Sequence, residues 1–275
     1  MKKNCIFILL LLIQFTYAQI NRFVYQVTMK PDADNKSDVK TENAYLDIST
    51  EKSIFYSENR LKRDSIMQKT FQSGGTRSFN REQIESLRSN INYTIEKDKK
   101  DQKTFYKDRL GRDVYSYEED RSLSWKILSE TTKIGEYKVQ KAEADFGGRK
   151  WTAWFTTDLP YQDGPYKFSG LPGLIVKAED TEGDYSFDLM KNYKITEFPA
   201  MSQFGNVIKV KRTDFVKQQE KFKTDPMAFM SQGGSSGPRM GVNRSGNQNP
   251  ADMRKRIEER AKEAAKRNSN PIELK

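Results

Sequence analysis

Three acidic clusters offer the most direct chemistry in this sequence: Glu118-Glu119-Asp120, Glu179-Asp180, and Glu182 with Asp184. Glycosidic bonds are hydrolysed by two carboxylates facing each other across a cleft. Each cluster here falls at a turn between strand-like runs, where carboxylates are ordinarily solvated. Spacing alone therefore supplies no catalytic pair, and no catalytic residue is assigned. The second candidate chemistry is aromatic. Trp151 and Trp154 lie on one strand-like run, and Tyr161, Tyr166 and Phe168 follow closely, with Pro172 to stiffen the chain beside them. These residues could line an apolar groove, with Arg149, Lys150 and Lys167 flanking an anionic ligand. The other reading of the same side chains is core packing or snorkelling. A polar run at 31–38 has some of the Asp/Asn spacing of a calcium loop. It lacks the central Gly and terminal Glu such a loop needs, so a hairpin loop is the better reading.

The chain contains no His and one Cys, Cys5. That excludes Ser-His-Asp triads, and His- or Cys-ligated zinc, copper or haem. Once Cys5 is removed with the leader described below, disulfides and thiol nucleophiles are excluded too. Carboxylate, Lys, Tyr and Ser/Thr chemistry remain, and no metal or cofactor is expected.

The elements that must position these groups are mostly strands. Phe23, Tyr25, Val27 and Met29 alternate with polar residues, which is the period of a half-buried strand. Runs at 42–49 and 53–58 form a hairpin. Residues 60–72 read as a polar connection. Asn80 caps a short helix that carries Ile84, Leu87 and Ile91 at helical spacing. Further strands fall at 91–96, 104–107, 113–118, 123–128, 138–146, 149–157, 174–179, 185–194 and 206–211, and a short helical segment follows Asp214. In the 149–157 strand Trp151, Ala153 and Phe155 face one way, and Thr152, Trp154 and Thr156 the other. Short turns join most of these runs, which argues against a parallel α/β sheet. The expected fold is mainly β: a single antiparallel meander forming a barrel or curved half-barrel, one short covering helix, and a basic C-terminal helix.

Residues 1–18 have a basic start, an apolar run from Cys5 to Phe15, and Thr16-Tyr17-Ala18 as a small-residue cleavage site. That pattern predicts a secretory signal peptide cleaved near Ala18, and Gln19 rather than Cys at the next position argues against lipidation. The β-rich domain is then 19–224. A Gly/Ser/Asn-rich linker occupies 225–250, and a basic helical tail 251–275 interleaves Glu with Lys and Arg. The formal charge of +10 falls to +8 without Lys2 and Lys3. A basic exported surface suits anionic headgroups and polysaccharides. The tail lacks the basic-aromatic interleaving of a nucleic-acid face, so no nucleic acid is expected.

One stretch is more specific than the rest: Gly164-Pro165-Tyr166-Lys167-Phe168-Ser169, then Gly170, Leu171, Pro172, Gly173, Leu174 and Ile175. Gly170 and Gly173 suit positive φ or a close backbone approach, and the apolar run that follows suits a core strand. These residues resemble the signature of the GLPGLI family of exported Bacteroidota proteins. Trp125-Lys126-Ile127, the run from Tyr137 to Ala142, the run from Gly148 to Thr156, and the closing Asn270-Pro271-Ile272-Glu273-Leu274 resemble that family in the same order. Val139 stands where many relatives carry Cys. The resemblance implies export and a β-rich domain similar to the N-terminal domain of a bacterial peptide N-glycosidase, whose hydrolytic residues lie in other domains. It therefore implies an accessory module.

Three functions follow as expectations. The first is an exported binding or accessory module of the periplasm or cell surface, beside outer-membrane uptake or envelope machinery, holding an apolar or amphiphilic ligand or a peptide. The second is a carboxylate-based glycan hydrolase. The third is a structural partner of an outer-membrane receptor, using a strand edge or the basic tail.

Overall fold

The computed structural model describes residues 19–72, 81–111, 113–200, 207–225, 255, 259, 263 and 268–274. The expected signal peptide, nearly all of the linker and most of the basic tail lie outside the described residues. Among those residues no helix is long and apolar enough to cross a membrane.

The chain begins with a meander: β1 (Ile20–Met29), β2 (Lys40–Ile48), β3 (Lys52–Ser57), then after two helices β4 (Thr94–Asp98), β5 (Lys103–Leu110) and β6 (Asp113–Glu118). A second meander follows: β7 (Lys126–Ile134), β8 (Tyr137–Phe146), β9 (Arg149–Thr156), β10 (Leu174–Asp180) and β11 (Tyr185–Ile195). β11 returns to β1, pairing from Ile20 with Ile195 to Met29 with Tyr185, with one register shift between Val24 and Tyr25. That pairing joins the two meanders into one twelve-stranded sheet, ordered β12-β6-β5-β4-β3-β2-β1-β11-β10-β9-β8-β7. β12 (Val207–Lys209) pairs parallel with β6, and the other pairings are antiparallel. The sheet is mainly antiparallel and ends at β12 and β7 without closing, which fits a curved half-barrel.

Two elements differ from expectation. Residues read as a polar connection form α1 (Glu58–Gln72). This helix has no apolar stripe. It is capped by Ser57, whose Oγ accepts the Arg60 N–H at 3.1 Å, and braced by the Lys62–Glu58 pair at 2.7 Å. Capping and i,i+4 pairs stabilise a helix that hydrophobic periodicity does not reveal. β7 runs past the expected stop to Ile134, with a bulge between Ile127 and Thr131. As an edge strand exposed along most of its length, it carries no burial pattern to mark its end. The short helix stands at Arg81–Ser86 as α2 and stops before Leu87 and Ile91, its expected cap Asn80 lies outside the described residues, and α3 spans Arg212–Thr224.

The main core lies on one face of the sheet, here the inner face. Phe23, Tyr25, Val27, Leu46, Phe55, Trp151, Phe155 and Phe187 all contribute to it. What fills it is the loop 159–173 between β9 and β10, which folds back as a plug. Phe168 is fully buried at its centre, with ring centroids 4.7 Å from Trp151, 5.8 Å from Trp125, 5.7 Å from Tyr166 and 6.0 Å from Phe187. Lys97 of β4 ties the plug down: its Nζ donates to Asp163 Oδ1 at 2.6 Å, Gly164 O at 2.8 Å and Phe168 O at 2.7 Å. Burial pushes the Lys97 ammonium pKa down, and Asp163 opposes that shift. At the plug's exit, a Cβ on Gly173 would stand 2.0 Å from Thr156 O. Only glycine admits that approach of β9 and the plug.

Candidate functional site

Where the plug ends, the inner face opens into a cleft of about 890 Å³. β5 and β6 supply Tyr106, Asp108 and Tyr117, α1 supplies Arg60 and Met67, α3 supplies Phe215, and the plug supplies Tyr166. The remaining wall is the chain's last described segment, 268–274, which lies across the sheet as a strap. A site of this size accepts a drug-sized molecule or a few residues of a polymer.

Tyrosines enter the lining from β5, from β6 and from the corner before β4. Tyr106 stacks on Tyr93 at 5.4 Å and on Tyr117 at 5.0 Å, and Tyr93 meets Tyr166 edge-on at 5.4 Å. Burial raises the pKa of each of these four phenols, so all are neutral near pH 7. A ladder of neutral phenols offers ring faces for apolar groups and hydroxyls for polar ones, which suits an amphiphilic ligand. Tyr166 adopts φ +55°, a left-handed conformation uncommon for a bulky residue. Packing on Phe168 and Phe187 holds it there, as does its hydroxyl, which donates to Glu273 Oε1 of the strap.

The electrostatics divide the cleft in two. At the strap end, buried Lys167 donates to Tyr117 Oη at 2.9 Å, Glu119 Oε2 at 2.6 Å and Glu273 Oε1 at 2.6 Å. Arg121 bridges the same two carboxylates, reaching Glu119 at 2.7 Å and Glu273 at 2.7 Å. Burial alone would raise the Glu119 pKa. Arg121 and Lys167 outweigh burial and bring it down to about 2. At the α1 end the balance reverses. Burial raises the Asp108 pKa to about 6 against the Arg109 N–H and the Arg60 charge. Burial also lowers the Arg60 pKa. One end of the cleft therefore holds a fixed ion network, and the other holds a carboxyl that exchanges a proton near neutral pH.

The structure separates the aromatic residues singled out in the sequence. Trp151 and Phe168 are in the filled core. Tyr161 is half-buried, with its ring 5.3 Å from Phe23. Trp154 is half-buried on the outer face, and Pro172 is exposed. Tyr166 is the member of the set that reaches the cleft. Within the 170–175 motif, Gly170 takes φ +91°, and Leu171, Leu174 and Ile175 enter the core. Of the three basic candidates, Lys167 and Arg149 are buried in ion pairs, and Lys150 is exposed.

The acidic clusters form ion pairs instead of facing one another across the cleft. Asp180 and Asp184 pair with Arg149 at 2.6 and 3.3 Å, Glu119 with Lys167 and Arg121, and Asp120 with Arg212 at 2.5 Å. Sequence reasoning missed Asp108, Tyr93, Tyr106 and Tyr117. β5 carries one tyrosine, β6 two, and Tyr93 precedes β4, and no spacing among them separates a cleft from a core.

Residues 147–177 match the model of a family described as "Protein of unknown function (Porph_ging)". No curated protein matches the chain. Among solved structures, two crystal forms of PNGF-II, in space groups P21 and C2, are similar in fold at TM-score 0.54 and 17% sequence identity. The match covers 75% of this chain and 34% of the PNGF-II chain, so this fold corresponds to about a third of that larger protein. The matched family segment contains β9, the plug and most of β10, and so includes Phe168 at the centre of the core.

Proposed function

We propose that this chain is an exported, non-catalytic binding or accessory module that holds an apolar or amphiphilic ligand, or a peptide, in the tyrosine-lined cleft. Its place is the periplasm or cell surface, after cleavage near Ala18, beside outer-membrane uptake or envelope machinery. We also assign it to the GLPGLI family on the motifs quoted above. The observation that carries the reading is the cleft itself: about 890 Å³, bounded by the Tyr93–Tyr106–Tyr117 stack and Phe215. Similarity to one part of the larger PNGF-II chain supports an accessory β-rich unit.

Native mass spectrometry of the full chain, purified without detergent, tests this. A co-purified adduct released by organic solvent is the expected result, with lower occupancy after Tyr93→Ala in a variant that melts like the parent. A protein that carries no adduct and takes up none from lipid vesicles, peptides or glycans refutes the reading.

One observation favours a second reading, a carboxylate-based glycan hydrolase. Asp108 lines the cleft with its pKa raised to about 6, the range of a general acid. Turnover of a glycan that disappears in Asp108→Asn supports it, and absence of turnover by the parent chain removes it.

A further inference from the structure

The strap 268–274 is held as a bound peptide is held. Asn270 uses every polar group it has. Its N–H donates to Pro31 O at 2.8 Å, its side-chain amide donates to Lys30 O and Asp184 Oδ2 at 2.8 Å each, and its Oδ1 accepts from Arg149 at 2.6 Å. Its carbonyl accepts from the Tyr185 hydroxyl at 2.7 Å. Arg149 then reads the next two carbonyls, Pro271 at 2.8 Å and Ile272 at 3.1 Å. Glu273 meets Lys167, Arg121 and Tyr166, and the Leu274 N–H donates to Gly147 O at 2.6 Å. Gly147 leaves room for this: a Cβ there would sit 2.9 Å from Glu273 Cγ. Ile272 is the one strap side chain packed against the main core, while Pro271 and Leu274 are exposed.

Every cation in this seat has a second partner that does not belong to the strap. Arg149 keeps Asp180 and Asp184, and Lys167 and Arg121 keep Glu119. Withdrawing the strap leaves no buried charge unpaired, so the seat stays formed and charge-complementary to a peptide carrying Asn and, three residues on, Glu. A core segment differs in this respect, because its removal leaves cavities or orphaned ions. The tether from α3 to the strap, residues 225–267, spans on the order of 100 Å when extended. That length also reaches the seat of a neighbouring molecule.

We propose that this seat is a peptide-binding site that works in trans and takes the Asn268–Leu274 segment of a second copy of this chain, so that two copies exchange tails. The proposal does not depend on what the cleft holds.

Three full-length proteins test it: the parent, a tail variant (Asn270→Ala with Glu273→Gln) whose seat is intact, and a seat variant (Gly147→Ala). The probe is a fluorescent synthetic peptide, Ser-Asn-Pro-Ile-Glu-Leu. The tail variant is expected to bind the peptide, and a Gln-for-Glu version of the peptide to bind about threefold to fivefold more weakly. Mixing the tail and seat variants is expected to give a two-chain species by native mass spectrometry that neither gives alone. A folded tail variant that ignores the peptide overturns the proposal. Peptide binding without a two-chain species overturns the second copy as occupant. If the tail variant does not fold alone, recovery of its melting transition on adding peptide supports the seat, and failure to recover overturns it.

Discussion

The plug and the strap are both irregular segments laid on the inner face of the sheet, and buried cations hold both. They differ in what the cation does besides hold. Lys97 spends its three donors on the plug: Asp163, Gly164 O and Phe168 O. Arg149, Lys167 and Arg121 each divide their bonds between the strap and carboxylates of the sheet or its turns. The plug also inserts Tyr166, Phe168 and Leu171 into the core, whereas the strap packs Ile272 against it. The plug is therefore part of what folds, and the strap is something the folded sheet recognises.

The largest effect should come from the plug's centre. Phe168→Ala empties a ring site enclosed by Trp151, Trp125, Tyr166 and Phe187 and should cost about 3–5 kcal/mol. Chemical denaturation monitored by Trp fluorescence measures it. A loss under about 1 kcal/mol would mean that the plug, like the strap, only rests on the sheet. Lys97→Met comes next, at about 3 kcal/mol, because it leaves the Asp163 carboxylate buried beside little more than the Gly164 N–H. The matching change on the other side, Glu273→Gln, should remove less than about 1 kcal/mol of global stability, since Glu119 still neutralises Lys167 and Arg121. Its signature is local: amide exchange at 268–274 should speed up while the β9 and β10 amides keep their protection. If Glu273→Gln unfolds the sheet as Lys97→Met does, the distinction between plug and strap fails.

Much of the sheet is legible because residues facing the main core recur with period two, although β1 to β3 also bury Val24, Tyr45, Ile54 and Tyr56 in a second cluster. The alternation of Phe23, Tyr25 and Val27 in β1, and the opposition of Trp151 to Trp154 in β9, appear in the structure as read. The plug's destination was not legible. Its partners come from β4, 66 to 71 positions earlier, and from strands brought together by the β1–β11 pairing, which no local pattern encodes. α1 was missed because a helix polar on every side has only its Ser57 cap to announce it. The strap's sequence resembles a family motif, but nothing local gives the reason for it. Asn270 and Glu273 matter for Arg149, Lys167 and Arg121, which lie more than a hundred positions away. Contacts of that separation follow from topology, and topology from pairings that periodicity underdetermines.

The smallest predicted effect carries the comparison to protons. Glu119, in the strap's seat, has its pKa lowered to about 2, so its contribution is present above about pH 4.5 and is lost as pH falls toward 2. Asp108, at the other end of the same cleft, has its pKa raised from 3.8 to about 6. The native state then binds more protons than the unfolded chain between those values, so this group makes the fold less stable as pH rises from 3.8 to 6. Asp108 is only partly shielded from solvent, which keeps the effect modest. Asp108→Asn should flatten the melting-temperature profile between pH 4 and 6, raise the melting temperature slightly at pH 7, and leave the acid limb below pH 4 in place. Thermal melts at half-unit pH steps resolve the two limbs. An unchanged profile would mean that the α1 end of the cleft is as well neutralised as the strap's seat. The contrast between a carboxylate held ionised in the seat and one that burial keeps close to protonation at the α1 end would then fail.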